Sequence, residues 1–214
     1  QAVQYYERLV SRFPDSENAR DGLYNAAFLK VGLGEYEAAA RAYESYATSY
    51  PDSADAEDTF YRAGAQWEQV GPSVEASYWR RFLKTYPEAE PNRLLSAKIR
   101  LSELAMESGD SRRNRQYLQE IIADYERFVA AGVDVGFDGK HAAAAADFPR
   151  IEALYIDFID DVMTGDEAKD GMLINSKGPD FVALEADLKA YASKYGDFEY
   201  ISAAYYMIAG GYLY

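Results

Sequence analysis

The sequence predicts an all-α fold: a solenoid of antiparallel helix hairpins, about four to five units with partial units at both ends. Three observations predict it. First, a proline-bearing phrase recurs as Arg12-Phe13-Pro14-Asp15-Ser16, Ser49-Tyr50-Pro51-Asp52-Ser53 and Thr85-Tyr86-Pro87-Glu88, its prolines 37 and then 36 residues apart. Weaker copies stand at Asp124-Tyr125-Glu126 and Lys194-Tyr195-Gly196-Asp197. Second, another phrase follows about ten residues on: Leu23-Tyr24-Asn25-Ala26-Ala27-Phe28, then Phe60-Tyr61-Arg62-Ala63-Gly64-Ala65, and near the end Tyr205-Tyr206-Met207-Ile208-Ala209-Gly210. The last two share their offset with Tyr46-Ala47-Thr48-Ser49-Tyr50 and Tyr191-Ala192-Ser193-Lys194-Tyr195. Third, apolar and small residues between the phrases recur at helical spacing. A fixed period of this length marks supersecondary units that bury their faces by stacking.

Each element follows from local chemistry. Residues 1–13 read as an amphipathic helix, the second of a pair. Residues 17–32 place Leu23, Ala26, Ala27 and Lys30 on one face. Gly32 and Gly34 end that helix, because glycine accepts the left-handed turn. Glu35 opens the next, over 35–50, where a carboxylate suits the helix dipole; its stripe is Tyr36, Ala39, Ala40, Tyr43 and Tyr46. Tyr50-Pro51 closes it, since a residue before proline disfavours the α region, and Asp52 or Ser53 caps the helix that follows. The same logic gives helices over 54–70, 73–86, 92–108, 111–131, 142–163, 179–195 and 198–214. Glycines set loops over 132–141 and 164–178, and Pro149 kinks or begins the eighth helix.

These residues resemble the tetratricopeptide repeat family. Ala26, Ala27, Gly34, Tyr36, Ala39, Tyr43 and Pro51 meet its pattern of small facing residues, turn glycine, aromatic and closing proline. The second unit keeps Ala63, Gly64, Gly71, Trp79 and Pro87 but has Pro72 near the turn aromatic's place; the third keeps Gly109, Asp110, Leu118 and Tyr125 and lacks the proline. The resemblance implies a right-handed superhelix. Residues 1–131 would form hairpins, and residues 132–214 a divergent unit with long loop insertions and a terminal half unit. Since neither end resembles a polar cap, the repeat is expected to continue in both directions. The punctuation is similar to that of bacterial cell-envelope members, such as the β-barrel assembly lipoprotein, the Tol–Pal coordinating protein and large myxobacterial-type repeat proteins. That would place the chain at the periplasmic face of the outer membrane. No signal peptide is visible in the chain: Gln1 leads straight into helix.

Composition narrows the function classes. The net charge is −14, from 22 basic and 36 acidic residues, which opposes nucleic acid and anionic lipid; it reads first as a solubility surface, and in the sharper alternative as suited to a basic partner or a salt-rich habitat. No apolar run reaches the roughly 18 residues of a membrane span. There is no cysteine, so disulfides and thiolate chemistry are excluded. His141 is the lone histidine, in a predicted glycine-rich loop. Asp134-Val135-Gly136-Phe137-Asp138-Gly139 lacks the acids of a calcium loop at its third and twelfth places, Gly136 and Ala145. Asp157, Asp160 and Asp161 read as a solvated face. The expectation is no catalysis, no metal and no cofactor.

Tyrosine is abundant, 20 of 214 residues, and most should pack between alanines with hydroxyls reaching water. The resemblance puts partner binding on the inner face, lined by first helices. Its positions here are Asp21, Tyr24 and Phe28 in one unit, Asp58, Tyr61, Ala65 and Glu68 in the next, Ala97 and Leu101 later, and Tyr206 near the end. Acids and aromatics stand where carboxylate-gripping members carry Lys, Arg and Asn. The expected partner is therefore a protein segment with basic and apolar side chains, bound by an interaction scaffold. A spacer without a ligand and, less favoured, an enzyme with a loop-built site are the alternatives.

Overall fold

The structure is a computed structural model describing residues 1–160, 165–196 and 199–211. Among these residues there are ten helices and no strand: α1 (Ala2–Arg12), α2 (Glu17–Gly32), α3 (Tyr36–Ser49), α4 (Ala56–Val70), α5 (Pro72–Thr85), α6 (Pro91–Glu107), α7 (Ser111–Ala130), α8 (Gly136–Asp160), α9 (Glu167–Tyr195) and α10 (Glu199–Gly211). Each helix packs on the next in the chain, and α8 also reaches α6 and α10. The result is the all-α hairpin solenoid that the repeat predicts. Its surface bears this out: the chain exposes 12681 Å², against about 9,900 Å² for a compact monomer of its mass.

The turns repeat along with the helices. After α2, Gly34 adopts φ 74°, its N–H bonds Val31 O at 3.0 Å, and Glu35 N–H bonds Lys30 O at 2.9 Å. After α6, Gly109 adopts φ 78°, with Gly109 N–H on Met106 O at 2.9 Å and Asp110 N–H on Ala105 O at 2.8 Å. Each pair of bonds satisfies carbonyls that the helix end leaves open, and only the left-handed glycine lets the chain turn back to form them. Asp110 then caps α7, accepting from Arg113 N–H at 3.0 Å. At the proline turn, the Tyr46 hydroxyl donates to both Asp55 carboxylate oxygens at 2.9 Å. Hydrogen bonding from Ser53, and then from Tyr46, holds the Asp55 carboxyl below its ordinary range against the opposing effect of burial.

The hairpins share one aromatic plan. In α2–α3, Tyr24 meets Tyr43 edge-on at 5.7 Å and Tyr46 at 6.0 Å. One repeat later, in α4–α5, Tyr61 meets Trp79 at 5.3 Å and Phe82 at 5.3 Å. Small residues make room for these rings. Ala27, Ala39 and Ala40 are fully buried, and the Cβ site of Gly64 points into Trp79 and lies 3.0 Å from Tyr78. Large groups opposed to small ones give close packing without voids.

The second half departs from the predicted loops, and these are corrections. Residues 132–141 were expected as a loop, but α8 begins at Gly136, and His141 lies on that helix. Asp134 accepts from Gly136 N–H at 3.0 Å and starts the helix. Gly139 is no loop-former; its Cβ site lies 3.2 Å from the Asn92 Cα, so glycine lets α8 approach α6. Residues 164–178 were likewise expected as a loop, but α9 starts at Glu167, with Asp166 accepting from Ala168 and Lys169 N–H at 3.1 Å. Gly171, Gly178 and Pro179 lie inside α9, and Pro149 lies inside α8 rather than beginning it. Each proline leaves the carbonyl four residues earlier, Ala145 or Asn175, without its helical donor. Packing along the rest of these helices outweighs that loss. The expected helix ends at 161–163, 198 and 212–214, with Asp161, lie outside the described residues.

Candidate protein-binding surface

The expected binding residues lie on α2, α4, α6 and α10, and the structure treats them unequally. On α2, Asp21 and Phe28 face outward, Phe28 being 62% exposed. Tyr24 is half-buried against Tyr43 and Tyr46, so its ring serves the hairpin. Glu68, at the end of α4, is exposed. Tyr206 on α10 is 77% exposed. Ala65 is exposed, while Ala97 and Leu101 are buried in the core.

Asp58 and Tyr61 are brought together by a residue that the sequence reading missed. Arg93, on α6, donates to Asp58 at 3.0 Å and to Glu57 at 2.7 Å, and its guanidinium lies 5.5 Å from the Tyr61 ring centre. Arg62 also holds Asp58, at 2.6 Å. The Tyr61 hydroxyl is pushed up in pKa, chiefly by burial, with a hydrogen bond from Ser96 opposing. Both Asp58 and Tyr61 thus join first helices of successive hairpins. The only sequence signal for Arg93 is its place one repeat length beyond Glu57 and Asp58.

A cleft also opens along second helices of the hairpins. It has a volume of about 600 Å³ and runs between α3 and α5, lined by Arg41, Glu44, Trp67 and Arg81 among others. Glu44 sits at its centre, accepting from Arg81 Nη2 at 2.8 and 2.7 Å and from Trp67 Nε1 at 2.5 Å. Arg41 lies over the Trp67 ring at 5.4 Å and bonds Glu37 at 2.7 Å. Each of these charges has a partner within the chain, so the cleft ties two second helices together.

The His141 ring meets that of Tyr200 at a tilt, with ring centres 5.5 Å apart. Among the described residues no group of three His, Cys, Asp or Glu is placed to hold a metal ion, and no helix is long and apolar enough to cross a membrane.

Residues 1–16 and 21–53 match the tetratricopeptide repeat family. No curated protein matches the chain. The longer stretch covers most of α2, all of α3 and the proline turn after it, a little less than one period; the shorter covers α1 and its turn. Repeats of this family generally mediate contacts between proteins. Over α1, α2 and α3 the chain is similar in sequence to tetratricopeptide repeats, and its α4–α5 hairpin reproduces that unit's aromatic packing.

Proposed function

We propose that the chain is a protein–protein interaction scaffold whose first-helix face takes a partner segment carrying basic and apolar side chains. The observation that supports this most is the exposed pairing of an acid and an aromatic on one helix: Asp21 and Phe28 of α2 share a face, and neither is buried. A large exposed ring with a carboxylate two turns away on the same helix face suits a rigid anchor with complementary charge. Glu68 extends the same chemistry one unit on. The proposed setting is a bacterial envelope assembly at the periplasmic face of the outer membrane, and its support is the likeness in repeat punctuation. Within it, residues 1–131 would present the face and residues 132–214 would continue the stack.

The test is fluorescence anisotropy with peptides that alternate Lys or Arg with Leu or Phe. A variant combining Asp21→Lys, Phe28→Ala and Glu68→Lys should weaken binding about tenfold or more, roughly 1.4 kcal/mol, and flatten its salt dependence. Affinity and salt dependence unchanged by these substitutions would remove the face from consideration. A spacer without a ligand is the second reading, favoured by the engagement of Tyr24, Asp58 and Tyr61 inside the chain; it expects no peptide to bind at all.

A further inference from the structure

The junctions between successive second helices are not built alike. Between α3 and α5, Glu44 closes the gap: Arg81 and the Trp67 indole both donate to it, and Trp67 is buried. One repeat on, between α5 and α7, both parts of that lock are replaced. Glu44 stands seven residues before Pro51, and Arg80 stands seven before Pro87. Trp67 stands four before the turn glycine Gly71, and Ala105 stands four before Gly109. A carboxylate has given way to a guanidinium, and an indole to a methyl group.

The exchange leaves an opening inside the stack. A cleft of about 280 Å³ lies there, lined by Ala76, Leu104, Ala105 and Tyr117 together with Arg80 of α5 and Arg113 of α7. It falls just below the roughly 300–1,000 Å³ of small-molecule sites. Its size and apolar floor suit one large side chain.

The charge around it calls for an acid. Arg80 is exposed and donates to the Ser77 hydroxyl at 3.4 Å; among the described residues no carboxylate lies within 4 Å of it. Arg113 is exposed and meets Asp110 at 3.4 Å. Asp110, the carboxylate on the lining, is engaged as the cap of α7, accepting from Arg113 N–H at 3.0 Å. Arg112 and Arg115, in the same turn, are exposed as well. Positive charge at the start of α7 opposes the helix dipole, so helix stability does not account for these arginines. The chain as a whole carries −14. Exposed charges beyond about 8 Å are largely screened at physiological salt, so a group in the cleft feels the arginines first.

We propose that this cleft takes a segment of a partner protein that carries an aromatic side chain next to carboxylates. The ring lies on Ala105 and Leu104, in the space that Trp67 fills one repeat earlier, and the carboxylates meet Arg80 and Arg113. The partner thus supplies between chains what Trp67 and Glu44 supply within this one. A protein segment is the occupant because the cleft admits a side chain and its rim is complementary to acids.

Fluorescence anisotropy on the 214-residue chain tests this, with labelled peptides of Gly and Ser around a central Glu-Trp-Glu. That peptide should bind, and those with Glu-Ala-Glu or Gln-Trp-Gln at the centre should bind at least about tenfold more weakly. Arg80→Glu should weaken the Glu-Trp-Glu complex by a similar factor. Its helical circular dichroism should be unchanged, because Arg80 is exposed. Absence of binding, or binding indifferent to the tryptophan or to Arg80→Glu, overturns the proposal. So does a chain that self-associates in sedimentation and returns to the monomer with Arg80→Glu, because a second copy then fills the cleft. The peptides of the first-helix test are basic, and Arg80 and Arg113 lie outside that test, so each idea can fail without the other.

Discussion

Replacing Phe82 by alanine should lower the stability of the chain by about 3–5 kcal/mol, the range for truncating a buried phenylalanine. Phe82 is fully buried. Its ring centre lies 6.3 Å from Phe60, 5.3 Å from Tyr61, 6.0 Å from Trp79 and 5.9 Å from Tyr86. Four rings thus lose a common neighbour, and helices that hold one another on both sides cannot collapse into the space. In a stack stabilised by nearest neighbours, the damage should weaken the α4–α5 hairpin and both of its junctions. Urea unfolding followed by circular dichroism measures the loss. A change under about 1 kcal/mol, below the range for such truncations, would mean that this aromatic cluster does not hold the hairpin.

Glu75→Ala should cost about 3 kcal/mol, the low end for removing one partner of a buried ion pair. Glu75 is 1% exposed at the start of α5. Its Oε1 accepts from Arg100 Nε at 2.7 Å and Trp79 Nε1 at 3.1 Å, and its Oε2 from Arg100 Nη2 at 3.0 Å. The hydrogen bond to Glu75 is the main reason that the Arg100 guanidinium binds its proton more tightly than usual. Truncation leaves the Trp79 indole N–H without an acceptor and half of the Arg100 fork empty. Arg100 keeps Glu103 at 2.9 Å and some access to water, hence the low end. Glu75→Gln, which keeps the shape and one acceptor, should lose less. Equal losses for the two substitutions would show that the charge, and not the shape or the retained acceptor, carries the interaction there.

The repeat was legible because its determinants are local. Gly34 and Gly109 mark turns, Pro51 and Pro87 end helices, and Tyr24 and Tyr61 meet their partners within one hairpin. Each can be read from a short window. The second half was misread because the same residue types there answer to tertiary contacts. Gly139 stands where α8 presses on Asn92, which a window around residue 139 does not reveal. Gly171, Gly178 and Pro179 look like loop composition, yet Asp166 starts a helix and α9 runs through them. The binding face was legible only as positions. Sequence placed Asp58 and Tyr61 on a first helix, but not the Arg93 side chain that engages both from the next hairpin. Glu75 was missed for a related reason: it stands at the place of Ala39 in the preceding unit, and only Arg100 explains a carboxylate there.

The account rests on hairpins stacked in a line instead of gathered around one centre, and small-angle X-ray scattering tests that most directly. Extrapolated to zero concentration, to remove any copy-to-copy contact, the radius of gyration should clearly exceed the roughly 17 Å of a compact domain of 214 residues. The distance distribution should be skewed toward long vectors. A value near 17 Å with a symmetric distribution would contradict the solenoid.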